Sequence, residues 1–147
     1  MARLIINADD CGYFPWVTAG ILESAHAGHI TATGLMANGD DFAVAAARLR
    51  DCPQVDVGVH LNVTLGRPLD GTLPRRILSS DGEFPRAPRL ALALLRGHLQ
   101  PGDVEREWRA QVTRCVSAGL VPRFLNSHEH VHMLPALQPV IRRLAAE

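Results

Sequence analysis

The sequence predicts an α/β protein whose strands form a parallel sheet. Short apolar runs alternate with amphipathic helical stripes over the first 63 residues, and polar clusters follow three of the predicted strands. A helix between two strands returns the chain to the same edge of the sheet, so this alternation is typical of parallel sheets. The 147 residues, of which 47% are hydrophobic and 20% charged, suit one globular domain.

The first part of the chain contains three predicted strands separated by two predicted helices. The strands cover residues 4–8, 30–36 and 55–63. Residues 4–8 are an apolar run that we interpret as a buried strand. Pro15 suits the first turn of the first helix and Gly28 its end. Asp40 or Asp41 can cap the second helix.

The alternation stops in residues 64–102, which we interpret as a long insertion between the third and fourth β/α units. Four prolines and three glycines fall within residues 64–88. A loop of this length inside a domain is usually functional or disordered. The pattern predicts a short helix over residues 90–99 and a longer one that is capped by Asp103 and ends at Gly119.

A fourth strand is predicted to run from Phe124 into a histidine-rich segment. Three of the seven histidines, His128, His130 and His132, occupy alternate positions there. In an extended chain the three imidazoles would lie on one face, which indicates a metal site. Pro135 is expected to open a last helix.

The amino-acid composition of the chain limits the classes of binding partner that we expect. Fifteen basic and fifteen acidic residues balance, and aromatic residues make up only 5%, so neither nucleic acid nor an anionic membrane is an expected partner. Three cysteines without a CxxC spacing favour a reducing, cytoplasmic location, and no apolar run is long enough to predict membrane insertion. Four strands would leave an open sheet edge, so we expect a C-terminally incomplete domain over residues 1–147. We also expect the chain to form a homo-oligomer, which could close that edge.

Polar residues that end different strands can meet, because parallel strands present their carboxyl ends at one edge of the sheet. Asp9 and Asp10 end the first predicted strand, His60 ends the third, and the histidine cluster His128 to His132 follows the fourth. Two imidazoles and a carboxylate suit a divalent cation. Taken singly, the aspartates could be a helix cap and His60 a core histidine, but together they favour a site.

The segment from His128 to His132 also satisfies H-E-x-x-H, the zinc-protease signature. That motif requires an α-helix through all five residues. An apolar strand pattern precedes the segment and Pro135 follows it, so a protease is disfavoured.

Three blocks resemble those of the YdjC-like carbohydrate deacetylases. Asn7-Ala8-Asp9-Asp10-Cys11-Gly12 resembles the N-A-D-D-F-G opening, and residues 58–64, Gly-Val-His-Leu-Asn-Val-Thr, resemble the block G-[VLM]-H-L-x-x-T. Residues 126–132 are similar to the D-S-H-x-H-x-H block, with Asn126 where many members have Asp and Cys11 where Phe is usual.

The resemblance implies a (β/α) barrel-like fold of the glycoside hydrolase/deacetylase type, here about four β/α units. It also implies one divalent metal ion, Mg²⁺ or Zn²⁺ with Mn²⁺ or Co²⁺ as alternatives, bound by Asp10, His60 and His128. The implied reaction removes the N-acetyl group from an amino sugar, its oligomer or a glycoconjugate. Asp9 would be the general base that acts on a metal-activated water.

The other candidate residues have less definite roles. His130 or His132 would protonate the departing amine, and Asn62, Asn126 and Glu129 would contact the substrate or support the site. Two alternatives stay open: a half-barrel that binds metal or sugar without turnover or works only when assembled, and a metal-dependent hydrolase that acts on another substrate.

Overall fold

The computed structural model describes residues 4–147 and contains one parallel sheet with helices packed against it. The strands are β1 (Asn7–Cys11), β2 (Ala32–Leu35), β3 (Asp56–Leu61) and β4 (Leu125–Ser127). The α-helices are α1 (Pro15–His26), α2 (Phe42–Arg50), α3 (Ala87–Leu95), α4 (Pro101–Ser117) and α5 (Gln138–Ala145). Two 3₁₀ segments cover Arg75–Ile77 and His128–Met133.

The strands lie in the order β1-β2-β3-β4, and each pairs in parallel with the next. Helices α1 and α2 connect the first three strands, and α3 and α4 lie between β3 and β4. Parallel strands in sequential order, each followed by a helix, are the repeating unit of a (β/α) barrel. The predicted fold class, a partial barrel of four such units, is therefore confirmed.

The core lies between the sheet and its helices. Leu35 and Val59 on the central strands are fully buried, and Trp108 of α4 is 0% exposed. Helices α1 and α2 direct an apolar stripe at the sheet, through residues such as Leu22 and Leu49. This packing anchors the central strands, whose carboxyl ends carry the candidate site.

The first strand differs from its prediction. Strand β1 begins at Asn7, and Leu4 and Ile5 are 77% and 75% exposed, so the expected buried strand over residues 4–8 is wrong in its position. The cause is topological: among residues 4–147, β1 pairs only with β2, and an apolar run beside an open sheet edge is not covered. Consequently Asp9 and Asp10 lie inside β1 rather than after it.

Three helix boundaries also differ. Helix α3 begins at Ala87, before the predicted start. Gln100, not Asp103, is the N-cap of α4; Asp103 lies three residues later and accepts a hydrogen bond from the Gln100 backbone N–H in a capping box. Helix α5 begins at Gln138 rather than at Pro135, because residues 134–137 form turns. Within residues 4–147, no helix combines the length and apolar character needed to cross a membrane.

Candidate metal centre

Strand β1 delivers Asp10 through an irregular backbone. The register between β1 and β2 shifts between Ala8 and Cys11, and Asp10 has a φ of 65°. Neighbouring residues of a regular strand face opposite sides, and this bulge breaks that rule. Asp9 and Asp10 therefore both reach residues of the same site, which the sequence allowed only if the backbone turned here.

His60 comes from the interior of β3 and is 3% exposed. Gly34 on the neighbouring strand makes room for it, since a Cβ at this position would lie 2.7 Å from Asp9 Oδ1 and 3.1 Å from the His60 side chain. A glycine inside a strand often marks a close approach of this kind. That signal was available in the sequence, although the role of Gly34 was not predicted.

His128 follows directly after β4, where the chain leaves the extended conformation. Glu129 and His130 have φ values of 51° and 52°, so the left-handed region separates the histidines. The expectation that His128, His130 and His132 share one face of an extended segment is therefore wrong. The same backbone is incompatible with an α-helix through the segment, so the H-E-x-x-H residues do not have the helical geometry that the zinc-protease motif requires.

Asp10, His60 and His128 form a compact cluster, called the metal triad below. One ligand atom from each lies within 4.8 Å of the other two. Asp10 Oδ1 is 2.8 Å from His128 Nδ1 and 3.1 Å from His60 Nε2. Hydrogen bonds from His128 and then His60 hold the pKa of the Asp10 carboxyl well below its usual range, so the carboxylate is ionised.

Asn126 determines which nitrogen of His60 faces the triad. Its Nδ2 donates to Asp9 Oδ1 at 2.7 Å, which leaves its Oδ1 to accept from His60 Nδ1 at 2.8 Å. His60 Nδ1 must then carry a proton. His60 donates to Asp10 through Nε2 only when the ring is protonated; in the neutral imidazole Nε2 instead presents a lone pair to Asp10 Oδ1, an arrangement that a bound cation would stabilise. The donor set fits a divalent ion.

The groups around His60 also favour a cation at this site. Burial lowers the pKa of His60, but hydrogen bonds to Asp10 and Asn126 and the charge of Asp9 outweigh burial, so the pKa is raised. The surroundings of this imidazole are therefore strongly electronegative. Such surroundings favour any positive charge, whether it is a proton or a metal ion.

Asp9 lies beside the triad and is 35% exposed. Its Oδ1 accepts from Asn126 and from Asn7, each at 2.7 Å, and lies 3.4 Å from His60 Nδ1. Its Oδ2 has no hydrogen-bond partner among residues 4–147. One oxygen is thus fixed by amides and the other is available to substrate or water. Asn7 was not predicted as part of the site.

His130 and His132 lie beyond the triad, with ring centroids 6.3 Å apart. Ser127 Oγ is 2.6 Å from His132 Nδ1 and accepts the His132 backbone N–H at 3.1 Å. Burial lowers the pKa of His132, and the nearby imidazoles of His130 and His60 lower it further. Ser127 therefore orients His132, a role that the sequence did not reveal.

Two of the predicted site residues lie apart from the triad. Asn62 is fully buried, and its side chain bonds within the loop that follows β3: Nδ2 donates to Leu65 O at 2.6 Å and to Asn38 Oδ1 at 3.0 Å. Glu129 is exposed and occupies a left-handed turn. Asn62 therefore shapes a neighbouring loop, and Glu129 has no assigned contact among the described residues.

The comparisons with known proteins agree with this geometry. The profile of the YdjC-like protein family matches residues 3–147. A carbohydrate deacetylase of Geobacillus stearothermophilus is 42% identical over 96% of this chain and 55% of its own length. A chitooligosaccharide deacetylase of Enterobacter sp. (strain 638) is 35% identical over 97% of this chain and 55% of its own length.

A solved structure has the same arrangement of elements. It is a protein of Enterococcus faecalis V583 with a provisional assignment as a cellobiose-phosphate cleavage protein. It is 32% identical to this chain and superposes with a TM-score of 0.80 over 97% of this chain and 54% of its own. This chain thus spans little more than half the length of the relatives that it matches.

Proposed function

Because this chain belongs to the YdjC-like protein family, we propose that it is a metal-dependent hydrolase that removes the N-acetyl group from an amino sugar, its oligomer or a glycoconjugate. The observation that carries the proposal is the convergence of Asp10, His60 and His128 from three strands at one edge of the sheet. The curated relatives named above are described as deacetylases of carbohydrates, which supports this substrate class.

Asp10, His60 and His128 would hold the ion, which we take to be Zn²⁺ or Mg²⁺, with Mn²⁺ or Co²⁺ as alternatives. When bound, such an ion polarises a carbonyl and lowers the pKa of a water molecule to about 7 in favourable sites. Two imidazole nitrogens favour the transition metals over Mg²⁺. Asp10 lies in β1, His60 lies in β3 and His128 directly follows β4. Their ligand atoms therefore meet only once the sheet has formed.

Asp9 would take the proton from the attacking water. The two amide donors on its Oδ1 hold the carboxylate in place, and its Oδ2 is left for the proton. A positioned base of this kind is typically worth about 10²–10⁴ in rate. Asn126 joins Asp9 to His60, so the base and the ligand have a common support.

His130 or His132 would protonate the departing amine, because an amide nitrogen leaves only after it gains a proton. Ser127 occupies Nδ1 of His132, so Nε2 is the atom that His132 offers to the substrate. His130 is exposed and has a left-handed backbone conformation, which turns it away from the course of β4. These observations do not choose between the two histidines, so His130 and His132 are both candidates for the acid.

The alternative is a half-barrel that binds metal or sugar without turnover, or that works only after assembly. One observation favours it: Leu4 and Ile5 leave an apolar surface exposed beside β1. Self-association through an open sheet edge stays a prediction, as does the cytoplasmic location expected from three cysteines without a CxxC spacing.

The test combines metal analysis of the purified chain with an assay for acetate released from N-acetylglucosamine and its oligomers. We expect about one divalent ion per chain and acetate release. The Asp9→Ala protein should keep the ion, and its rate of acetate release should fall about 10²–10⁴-fold. His29→Ala is the matched control, because His29 is exposed and distant in sequence from every site residue.

The outcomes separate the two functions. Metal without acetate, in the wild-type protein at all oligomer lengths, would support the half-barrel alternative. Absence of metal would refute the triad as a metal site. Full activity in Asp9→Ala would remove Asp9 from the mechanism.

A further inference from the structure

A second concave feature lies at the same edge of the sheet as the metal triad. It is a cleft of about 440 Å³ between the start of α1 and the loops that follow β2 and β3. Tyr13 and Phe14 line one part of it, and Asn38, Arg67 and Glu83 line another. We call it the aromatic cleft.

Aromatic rings form the apolar side of this cleft. The Tyr13 and Phe14 ring centroids are 4.0 Å apart, and Phe14 stacks on Trp16 with centroids 4.6 Å apart and planes 23° apart. Trp16 is 69% exposed. Tyr13 and Phe14 line the cleft and are partly exposed, and Trp16 extends their stack without lining the cleft itself.

Amide hydrogen bonds hold the polar side in place. Asn38 Nδ2 donates to the carbonyls of Leu65 and Arg67, each at 3.0 Å, and Asn62 donates to Asn38 Oδ1. These bonds join the loop after β2 to the loop after β3. The cleft is therefore a fixed surface between two loops, with hydrogen-bonding groups already oriented.

The charges in the cleft limit its ligand. Arg67 contributes one positive charge, and Asp40 and Glu83 contribute two negative charges. A phosphate would meet more negative than positive charge here, so an anionic ligand is disfavoured. Aromatic faces beside a few mixed polar groups suit a neutral, amphipathic ring.

The cleft also lies close to the triad. The Tyr13 backbone N–H donates to Asp10 O at 3.1 Å, and the Met36 N–H donates to Cys11 O at 2.8 Å. Tyr13 is three positions after Asp10, so their Cα atoms are at most about 11 Å apart. A ring in the cleft is thus next to a group held at the triad.

We propose that the aromatic cleft binds a neutral pyranose residue of an oligosaccharide, adjacent to the acetylated residue at the metal triad. The apolar C–H face of the sugar would pack on Phe14 and Tyr13, and its hydroxyl groups would bond to Arg67, Glu83 and Asn38. The inference rests on the proposed function for the identity of the ligand. It makes the chain selective for oligomers over the single sugar.

Binding is measured by calorimetry on EDTA-treated protein, with N-acetylglucosamine and its trimer as probes. We expect the trimer to bind about tenfold more tightly than the monomer, the size of effect that one aromatic contact supplies. Phe14→Ala and Arg67→Ala should each weaken trimer binding and leave monomer binding unchanged. Leu95→Ala and Arg89→Ala are matched controls, because both residues are exposed and lie on α3.

Tryptophan fluorescence gives an independent readout. The chain has two tryptophans, and Trp108 is 0% exposed, so a ligand-dependent change in emission reports on Trp16. The trimer should change the emission and the monomer should not. Trimer binding without this change would overturn the proposal, since it would locate the sugar away from the Phe14–Trp16 stack.

The remaining outcomes are also decisive. Equal affinity for monomer and trimer, or no binding of either, would overturn the proposal, as would tighter binding of a sugar phosphate that depends on Arg67. Because these measurements need no turnover, they are separable from the proposed function. A chain that prefers the trimer but releases no acetate would support the proposal for the cleft and contradict the proposed deacetylase function.

Discussion

The metal triad and the aromatic cleft lie at the same edge of the sheet but are held by different parts of the fold. Two triad residues, Asp10 and His60, lie within strands, and the third directly follows one. The cleft residues lie in the segments after β1, β2 and β3 and in residues 64–102. Under the two proposals above, the strands would position the groups for chemistry, while the loops would form the surface that selects a substrate.

The largest effect should separate the two regions completely. His128→Ala removes one of the two imidazoles of the triad and, if the triad holds the ion as proposed, should weaken metal affinity by more than about 100-fold, since even residues that support ligands are worth about 10–100-fold. Trimer affinity in EDTA should not change, because the cleft does not include this residue. Metal titration and calorimetry check both parts. His98→Ala is the control, and equal loss in both variants would contradict the assignment.

A smaller effect should follow from Asn126→Ala. This change removes the acceptor for His60 Nδ1 and a donor to Asp9, so metal affinity should fall about 10–100-fold. Asn7→Ala removes the other amide on Asp9 but does not touch His60. Metal affinity should therefore stay near the wild-type value in Asn7→Ala. If the two variants behave alike, orientation of His60 by Asn126 is not what strengthens the triad.

An effect on stability alone should arise at the loop after β3, away from the triad. Glu107 of α4 is fully buried, and its carboxylate accepts the backbone N–H groups of Leu69 and Asp70 as well as Gln111 Nε2. Glu107→Gln loses an acceptor against these donors and should cost about 1–3 kcal/mol in the free energy of unfolding. Urea denaturation measures it. Metal affinity should not change, because no triad residue contacts Glu107 among the described hydrogen bonds.

The pH dependence of the same variant sharpens the test. Burial raises the pKa of Glu107, so the folded chain binds this proton more tightly than the unfolded chain does. The associated stability is complete below the pKa of an exposed glutamate and is lost as pH rises through the raised pKa of the folded state. The wild-type protein should therefore lose stability across that window relative to Glu107→Gln. Parallel pH profiles would contradict this.

Much of the site was predictable because the order of elements was. Once strands alternate with helices, the carboxyl ends of β1, β3 and β4 must share an edge, and this brought Asp10, His60 and His128 together. What failed were local conformations. The bulge at Asp10 and the left-handed Glu129 and His130 depend on contacts with other strands, which period-based reasoning on one segment does not include.

The sequence by itself determined the parallel α/β architecture and the polar clusters at the strand ends, because these follow from periodicity and residue types. The choice of Asp10, His60 and His128 from those clusters came from the family resemblance. Only the tertiary structure decided that Asn126 joins Asp9 to His60, that Gly34 makes room for both, and that Tyr13 and Phe14 form a cleft with Arg67. These contacts join residues distant in sequence, and their existence depends on how the strands and loops pack together.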